Sequence, residues 1–244
     1  MKIALIGYGR MGKEIEKIAK SRGHEIVLTI DVDNQEEFNS ENMQKAQVAI
    51  AFTIPETAVD IYKKCFDWGI PVVSGTTGWL HRWDEVTRYC LEKGSAFFYA
   101  SNFSLGVNLF FELNRKLARY MKPFGQYKAT ITEVHHTRKL DSPSGTAISL
   151  AEDLMNERGG YDGWINEVSE EAHQLGIVSV REGDVPGIHT IQYDSEVDFI
   201  EITHSAKNRS GFAFGAVLAA EFIVGKSGIL SMKDLLKLDE YEVI

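Results

Sequence analysis

The chain begins with a short apolar strand that runs into a glycine-rich turn and then a helix. The strand covers Ile3–Gly7. It leads directly into a G-x-G-x-x-G pattern, Gly7-Tyr8-Gly9-Arg10-Met11-Gly12. In such a pattern the first glycine allows a tight turn, the second lets the backbone approach a pyrophosphate, and the third lets helix and strand pack closely. Amides at the helix N-terminus then face the phosphates, so this opening predicts a dinucleotide-binding unit.

Strand-like and helix-like segments alternate as far as residue 100. Further strands are predicted at Glu25–Ile30, Gln47–Thr53, Pro71–Ser74 and Ala96–Ala100. Helices are predicted over Gly12–Ser21, from Pro55 to Gly69, and over Trp83–Lys93. Short, nearly continuous apolar strands separated by helices are typical of a parallel sheet that is covered on both faces. The expected fold class is therefore α/β, with a Rossmann-type parallel-sheet domain first.

The acidic residue at the end of the second strand bears on the choice of cofactor. A carboxylate at Asp31 would accept hydrogen bonds from the adenosine ribose hydroxyls and would repel a 2′-phosphate. Val32 and Asp33 follow it and supply no arginine to offset that repulsion. NADH is therefore the preferred cofactor, with NADPH as the alternative. The competing interpretation of the opening motif is a glycine turn that binds no ligand.

Two further loops are expected where later strands of the parallel sheet end. Ligands in such sheets bind beyond the carboxyl ends of the strands. Small hydroxyl residues and backbone groups there would bond the nicotinamide carboxamide and ribose, although plain turn chemistry would select the same residue types. The residues concerned are Gly75, Thr76 and Thr77 in the first loop and Ala100, Ser101, Asn102 and Phe103 in the second.

The pattern changes after residue 103. A helix is predicted over Gly106–Met121, a strand over Tyr127–His136 and a helix over Ser144–Arg158, followed by a glycine-rich break. Three strand candidates then follow without helices between them, at Ile177–Glu182, Ile188–Asp194 and Asp198–Ser205. An apolar helix at Gly211–Val224 and a short amphipathic helix, MKDLLKL, come last. Consecutive strands without intervening helices favour antiparallel pairing, and the last two are expected to form a hairpin.

These patterns predict two domains. The dinucleotide-binding domain is expected to comprise residues 1–103 and 212–244. The α+β substrate domain, with a mostly antiparallel sheet, is expected to comprise residues 104–211.

The segment Glu133–Ala147, EVHHTRKLDSPSGTA, places proton-transfer groups and cations beside an expected helix N-terminus. His135 and His136 end a strand, where successive side chains point to opposite faces, so separate roles are expected. A neutral imidazole can move a proton or donate to a carboxylate, and Lys139 can neutralise a carboxylate or donate a proton. Backbone amides at Ser144-Gly145-Thr146 suit a carboxylate. The grouping predicts a site for a small anionic substrate, the alternative being structural or surface histidines.

Other polar residues have weaker assignments. Asp141 is expected to serve in a turn or as a helix cap, and Arg138 receives no role. Arg209 precedes the apolar helix and is either a surface charge or a substrate contact. The remaining histidines show no comparable grouping and are expected to be structural or surface residues: His24, His81, His173, His189 and His204.

Composition and spacing argue against several functions. A net charge of −9 disfavours nucleic-acid binding, because phosphate neutralisation needs clustered Lys and Arg. No apolar run approaches the roughly 18 residues that cross a membrane, and no signal peptide is evident, so a cytoplasmic enzyme is expected. Cys65 and Cys90 are expected to be buried free thiols. No metal site is expected, because no acidic partner lies at a familiar ligand spacing from the paired histidines.

The EVHHTRKLDSPSGTA segment resembles the signature of the 4-hydroxy-tetrahydrodipicolinate reductase family. The similarity runs along nearly the whole chain, since GYGRMG, AFTIPE, SGTTGW, SNFSLGVNL and NRSGFAFGAV occur in the family's order. The resemblance implies reduction of the product of dihydrodipicolinate synthase, a small cyclic dicarboxylate, with NADH or NADPH. The expected product is tetrahydrodipicolinate, formed by hydride transfer with loss of water in the diaminopimelate route to lysine.

The resemblance also implies roles for particular residues. His135 would be the acid/base residue and Lys139 the proton donor, while His136, Gly145 and Thr146 would hold substrate carboxylates. The cofactor would contact the glycine loop, Asp31 and the two later loops: Gly7–Gly12, Asp31, Gly75-Thr76-Thr77 and Ala100–Phe103. The second domain would also join a homotetramer through its sheets.

The chain departs from the family pattern in its first domain. Many members have an extra residue and a different glycine spacing in the first loop. Many also carry an arginine after the acidic residue, where this chain has Val32, and the departure favours NADH. Two other functions fit the motifs: a different small-substrate NAD-dependent dehydrogenase, and a non-catalytic NAD-sensing protein.

Overall fold

The structure, a computed structural model, describes residues 1–208 and 210–238. The chain divides into two units. The first unit contains residues 1–105 and the described residues from 210 onward, and the second contains residues 106–208. Arg209, considered above as a substrate contact, lies outside the described residues, as does the end of the expected first domain after residue 238. The functions assigned to the two expected domains stay predictions at this point.

Every strand and helix that the sequence predicts is present, with ends shifted by a few residues. The strands are β1 (Lys2–Ile6), β2 (Glu25–Ile30), β3 (Val48–Ala51), β4 (Val72–Ser74), β5 (Ala96–Tyr99), β6 (Lys128–His135), β7 (Gly163–Ile165), β8 (Gln174–Arg181), β9 (Ile188–Asp194), β10 (Phe199–Ser205) and β11 (Gly228–Leu230). The helices are α1 (Arg10–Ser21), α2 (Ser40–Met43), α3 (Pro55–Asp67), α4 (Trp83–Glu92), α5 (Leu105–Met121), α6 (Gly145–Arg158), α7 (Ser210–Ile223) and α8 (Met232–Leu236). The short elements β7, β11 and α2 are not predicted, because three or four residues are too few to show a periodic pattern.

The first unit is built on a six-stranded sheet in the order β11-β5-β4-β3-β1-β2. All of its pairings are parallel, which confirms the Rossmann-type prediction. From β1 the chain goes to β2 on one side and then returns to β3 on the other. The carboxyl ends of β1 and β3 therefore border a topological switch point, the place where ligands bind in open α/β sheets.

Helices cover both faces of this sheet. One apolar cluster packs α1 and α7 against the strands, and a second packs α3 and α4 on the opposite face. Cys65 in α3 and Cys90 in α4 are buried free thiols, as predicted. Burial raises the pKa of the Cys90 thiol to about 11, which makes it a poor nucleophile at neutral pH. Within the described part of the chain, no helix combines the length and apolarity that a membrane crossing needs.

The second unit contains a five-stranded mixed sheet in the order β10-β9-β6-β8-β7. The pairs β10–β9 and β9–β6 are antiparallel, and β9 and β10 form the predicted hairpin. The pairs β6–β8 and β8–β7 are parallel, so the sheet holds more parallel pairing than the sequence suggests. The reason is α6, which lies between β6 and β8 in the chain and lets β8 return in the same direction as β6.

Strand β6 lies at the centre of this sheet and alternates strictly between buried and half-buried residues. Ala129 and Ile131 point to the buried face, where they pack with residues of α5 and α6. Glu133 and His135 continue the same row, so two polar side chains occupy positions that a core would fill with apolar ones. The functional groups of this unit are therefore placed by the pleat of one strand.

We expect Gly215→Ala to destabilise the first unit. Gly215 of α7 lies against the backbone of Phe103, and an added Cβ would stand 1.8 Å from the Phe103 carbonyl oxygen. Overpacking of this kind costs about 1–3 kcal/mol in the free energy of unfolding, measured by chemical denaturation. Gly125→Ala is the control, because an added Cβ there meets no heavy atom within 4 Å. Equal unfolding midpoints for the two variants would contradict the packing described here.

Candidate active site

Two glycines of the opening motif are required by the fold itself. Gly7 has a φ of 89°, and an added Cβ would lie 2.1 Å from the carbonyl oxygen of Phe52. Its amide donates to the carbonyl of Ile30 at 2.8 Å, which ties the turn to β2. A Cβ at Gly12 would lie 2.4 Å from the Gly7 carbonyl oxygen. A turn that binds no ligand would therefore explain Gly7 and Gly12.

Gly9 is different, because neither its backbone angles nor its packing requires glycine. Its φ is −76°, and an added Cβ would meet no heavy atom within 4 Å. Gly9 is the N-cap of α1, and the space beside its Cα contains no protein atoms within that distance. Close approach by a ligand to the backbone is the remaining reason for a glycine here. The open space fits a pyrophosphate at the helix N-terminus.

Two cavities border this turn in the first unit. One, of about 510 Å³, is lined by Gly7, Gly9, Asp31 and Thr53, among others. The other, of about 340 Å³, is lined by residues of the glycine loop and of the loop after β4: Gly7, Gly9, Arg10, Met11, Gly12, Phe52, Thr53, Gly75, Thr76 and Thr77. The structure thus brings together three of the sequence segments that were predicted to bind the cofactor.

Asp31 is braced at the edge of the larger cavity. One of its carboxylate oxygens accepts from the Val32 amide at 2.9 Å, and its own amide donates to the Asn34 side chain at 2.7 Å. Asn34 donates in turn to the carbonyl of Thr29 at 2.8 Å, so it holds the end of β2. Sequence reasoning missed Asn34. The cavity also contains Lys64, a cation that reaches it from α3 rather than from the residues after Asp31.

The loop after β4 is fixed by hydroxyl groups. Thr76 is buried, and its hydroxyl oxygen accepts from the Thr53 amide at 2.9 Å, which joins the ends of β3 and β4. The Thr76 amide donates to Ser74 at 3.2 Å. Thr77 is exposed. Thr76 therefore has a structural task at the cavity wall, whereas Thr77 is open to a ligand.

The loop after β5 does not line either of these two cavities. The side chain of Phe103 belongs to the core, where its ring packs 5.7 Å from that of Phe52 and 5.9 Å from that of Phe98. Asn102 accepts from the Ser104 amide at 2.9 Å, and Ser101 is exposed. The cofactor contacts assigned to Ala100–Phe103 stay predictions.

In the second unit, His135 belongs to a group of buried and half-buried polar side chains around Glu133. We call these residues the Glu133 cluster: Glu133, His135, Ser144, Ser179, Arg181 and His189. The sheet register assembles it, because Glu133 of β6 lies opposite Ser179 of β8 and His189 of β9. Residues paired across neighbouring strands lie on the same face. Three distant sequence segments thus meet at one carboxylate.

Glu133 has no exposed surface. Its carboxylate lies 3.3 Å from Nδ1 of His135 and accepts from the hydroxyl of Ser179 at 2.8 Å. Arg181 approaches one oxygen at 3.1 Å, and the Ser144 amide donates to both oxygens at 3.1 and 3.2 Å. Burial raises the pKa of this carboxyl, but contacts with His135, His189, Ser144 and Ser179 outweigh it and hold the pKa well below its usual range. Glu133 is therefore ionised at neutral pH.

His189 corrects the sequence analysis, which found no grouping for it. It is 5 % exposed, and its ring stands edge-on to that of His135 with centroids 5.0 Å apart. Its Nε2 lies 3.2 Å from the hydroxyl of Ser144. For Glu133 the sequence does contain a signal, since Glu133 and His135 are two residues apart in β6 and must share a face. For His189 it contains none, because only the pairing of β9 with β6 brings His189 to the cluster.

Glu133, His135 and His189 also place three ligand atoms within 4.8 Å of one another, as a metal site would. The carboxylate oxygens are already occupied by the Ser144 amide, the Ser179 hydroxyl and the cationic Arg181. A guanidinium on the same carboxylate opposes a second cation. The donor set therefore fits a hydrogen-bonded network better than a metal ion, and the expectation of no metal stays a prediction.

The other residues of the EVHHTRKLDSPSGTA segment lie on the loop after β6 and at the start of α6. Lys139 forms an ion pair with Asp141, whose two oxygens lie 2.8 Å from the ammonium, so Asp141 is not the helix cap. The cap of α6 is Ser144, whose hydroxyl accepts from the Ala147 amide at 3.2 Å. Arg138 forms an exposed ion pair with Asp184 at 2.6 Å.

Gly145 and Thr146 are the first two residues of α6, which begins at Gly145. Amides in the first turn of a helix have no intrahelical acceptor, and the helix dipole favours a negative charge there. Gly145 is exposed and Thr146 is half-buried, so these amides are open to a ligand. His136 is half-buried and directly follows β6.

The first unit has the fold and the open glycine turn of a nicotinamide-dependent oxidoreductase, and the second carries histidines and the exposed N-terminus of a helix. The family model described as dihydrodipicolinate reductase, N-terminus, matches residues 1–103. The model described as dihydrodipicolinate reductase, C-terminus, matches residues 106–236. The chain belongs to the 4-hydroxy-tetrahydrodipicolinate reductase family, also called dihydrodipicolinate reductases.

Individual relatives agree with this assignment. A 4-hydroxy-tetrahydrodipicolinate reductase from Christiangramia forsetii is 50% identical over 237 residues, which cover 97% of this chain and 98% of the relative. One from Lawsonia intracellularis is 35% identical, over 97% of this chain and 99% of the relative. Among solved structures, a dipicolinate-bound dihydrodipicolinate reductase from Paenisporosarcina sp. TG-14 superimposes with a TM-score of 0.80 at 22% identity, covering 96% of this chain and 98% of that one. At that identity the likeness supports the fold.

We expect Gly9→Ala and Gly12→Ala to separate cofactor binding from stability. Gly9→Ala should weaken NADH binding about tenfold or more, the effect of losing roughly 1.4 kcal/mol at the phosphates. It should cost less than about 1 kcal/mol of folding free energy, because alanine is only a poorer N-cap. Gly12→Ala should destabilise by about 1–3 kcal/mol through its clash with the Gly7 carbonyl. Titration calorimetry and denaturation measure the two effects, and unaltered NADH affinity in Gly9→Ala would exclude the phosphate site.

Proposed function

We propose that this chain reduces 4-hydroxy-tetrahydrodipicolinate to tetrahydrodipicolinate with a reduced nicotinamide cofactor, a step of diaminopimelate and lysine biosynthesis. Membership of the reductase family over both units is the observation that carries this proposal. The Glu133 cluster supports it, because a reduction that releases water needs a group that transfers protons. The bound nicotinamide supplies the hydride, and the chain's own residues bind, orient and protonate.

His135 is the proposed acid/base residue. Its Nδ1 faces the Glu133 carboxylate at 3.3 Å, which leaves Nε2 for proton exchange with the substrate. Its side chain is only 10% exposed, so the imidazole acts from a largely water-free position. Near neutral pH an imidazole can both accept and donate a proton, which suits loss of the hydroxyl with a proton as water and protonation of the intermediate that hydride transfer leaves.

The N-terminus of α6 is the proposed carboxylate site. The amides of Gly145 and Thr146 offer two donors, and the helix dipole adds a favourable field for an anion. His136 would hold a substrate carboxylate from the end of β6. A cyclic dicarboxylate would thus be held by its charged groups while its ring stays free to react.

Lys139 is the proposed proton donor, and its partner must change during the reaction. The ammonium is held by Asp141 at 2.8 Å, on a side chain that is 59% exposed. Half-exposed ion pairs of this kind contribute little stability, so a substrate carboxylate can replace Asp141 at small cost. Asp141 would then hold the Lys139 side chain in place between catalytic cycles.

We further propose that NADH is preferred over NADPH. Asp31 lines the larger cavity beside the glycine turn. The next residue, Val32, is 75% exposed and is apolar, so it offers no positive charge to a 2′-phosphate. The remaining cofactor contacts are proposed for the glycine loop, for Gly75-Thr76-Thr77 and for Ala100–Phe103. Lys64 is the cation that would lessen the repulsion of a 2′-phosphate.

A homotetramer in the cytoplasm is the proposed working form. The hairpin strand β10 forms an edge of the second sheet and exposes apolar side chains. Phe199 is 61% exposed, and Val197 in the preceding turn is 87% exposed. Apolar residues along an unpaired edge suit pairing with another copy of the chain.

The decisive assay supplies the product of dihydrodipicolinate synthase and follows NADH oxidation. We expect turnover with that substrate and a fall in kcat of about 10²–10⁴ for His135→Ala, the usual contribution of general acid–base catalysis. His173→Ala, at an exposed position of the second unit, is the matched control and should keep full activity. Cofactor binding without turnover of the synthase product would refute the proposed reaction.

The cofactor preference is tested by Asp31→Ala. Loss of hydrogen bonds to a charged group removes about 1.5–3 kcal/mol, so kcat/KM with NADH should fall about tenfold to a hundredfold. The value with NADPH should hold or rise, because the carboxylate no longer repels the 2′-phosphate. Val32→Ala, at the exposed neighbouring side chain, is the control. An unchanged ratio of kcat/KM with NADH to kcat/KM with NADPH would show that Asp31 does not contact the adenosine ribose.

A further inference from the structure

Glu133 contacts two parts of the proposed site at the same time. One oxygen lies 3.3 Å from Nδ1 of His135, the proposed acid/base residue. Both oxygens accept from the amide of Ser144, the residue that caps α6. His189 also lies beside both, with its ring 5.0 Å from that of His135, but in the α6 cap it contacts the hydroxyl of Ser144 and not the amide.

We propose that Glu133 is a positioning residue of the reductase reaction: its carboxylate fixes the His135 ring in the Nδ1–H tautomer and holds the N-terminus of α6 beside it. The inference rests on the proposed function for its catalytic meaning. The proximity of Glu133 to His135 does not depend on the proposed function, because both residues lie on the same face of β6.

The tautomer follows from the surroundings of the two ring nitrogens. Nδ1 is buried and completes no hydrogen bond, and a carboxylate oxygen of Glu133 lies 3.3 Å from it. An ionised carboxylate is an acceptor only, so at this distance it repels the lone pair of a bare Nδ1 and favours an Nδ1 that carries the proton. Nε2 is bordered by Gly187, where an added Cβ would lie 3.1 Å away, so a glycine leaves that nitrogen uncrowded. The ring therefore presents an unprotonated Nε2 when it is neutral.

The same carboxylate fixes the substrate side of the site. Its bond to the Ser144 amide sets where α6 begins, and Gly145 and Thr146 follow directly. The distance between the acid/base nitrogen and the proposed carboxylate-binding amides is thus governed by one side chain. Errors of about 1 Å in such positioning can cost about 10²-fold in rate.

A purely structural role is a poorer explanation of this carboxylate. Burying an ion costs several kcal/mol, and an apolar side chain of similar size is often as stable or more so. Arg181 supplies the counter-charge, but it also donates to the Asp141 carbonyl at 2.7 Å and is 20% exposed. The cluster also contains the ionisable His189 of β9, and His204 of β10 is paired with His189 on the far side.

Glu133→Gln tests the proposal, because the amide keeps the size of the side chain and loses the charge. We expect kcat to fall by roughly 10²-fold, as for the loss of an orienting partner, while NADH affinity stays unchanged. Nitrogen NMR of histidine-labelled protein should find the neutral His135 ring as the Nδ1–H tautomer in the wild type. In Glu133→Gln it should find a mixture of tautomers, with the His135 signal assigned from the spectrum of His135→Ala.

Glu170→Gln is the matched control. It makes the same change of charge at an exposed glutamate of the second unit that is not part of the Glu133 cluster. It should keep the tautomer and the full kcat, while Glu133→Asp should restore part of the rate that Glu133→Gln loses. If Glu133→Gln fails to fold, the wild-type tautomer and the Glu133→Asp rate decide the question.

Three results would overturn the proposal. They are an Nε2–H tautomer in the wild type, an equal loss of kcat in Glu170→Gln and Glu133→Gln, and a stoichiometric metal ion that is lost from Glu133→Gln in elemental analysis. Failure of the reductase function is distinguishable, since the wild type would then show no turnover while the NMR measurement still reports on Glu133 and His135.

Discussion

An ionised carboxylate with no exposed surface lies in the middle of the second sheet, and the arrangement of the site depends on it. Burial works against the charge on Glu133, so the charge persists only because donors from three strands and the start of α6 converge on it. Each donor is held in turn by the carboxylate. Removing the charge would therefore release the imidazole, the guanidinium and the helix cap together, which makes the cluster a single unit rather than a set of separate contacts.

The first unit depends on a different constraint, the close approach of backbone to backbone. Gly7 and Gly12 are glycines because β1, α1 and the end of β3 crowd the turn, whereas Gly9 is a glycine with nothing beside it. The contrast separates what the fold needs from what a ligand needs within one six-residue motif. It also explains why the motif alone is a weak predictor, since two of its three glycines would be required without any cofactor.

Most of the fold could be predicted from the sequence, because its strands and helices are long enough to show their periods. The parallel order of the first sheet followed from its alternation of strands and helices. The parallel β6–β8 pair did not, because β8 was grouped with β9 and β10, which follow it without helices. The site divides in the same way. The segment around His135 was found because its residues are adjacent, while His189, Ser179 and Arg181 join it only through strand register. Register depends on tertiary packing, which residue spacing does not reveal.

The two proposed proton-transfer groups are held very differently, and the difference fits their tasks. His135 is fixed in the sheet by buried contacts, so its ring keeps one orientation before the substrate arrives. Lys139 lies on the loop after β6, where Asp141 is its partner and that partner is mostly exposed. A rigid imidazole can define where the reacting ring must sit, whereas a lysine in a weak ion pair can exchange its partner for a carboxylate. Reversing the two would fix in the sheet a lysine that must change its partner, and would leave on a loop a histidine that must keep its orientation. The placement of each residue therefore matches the chemistry proposed for it.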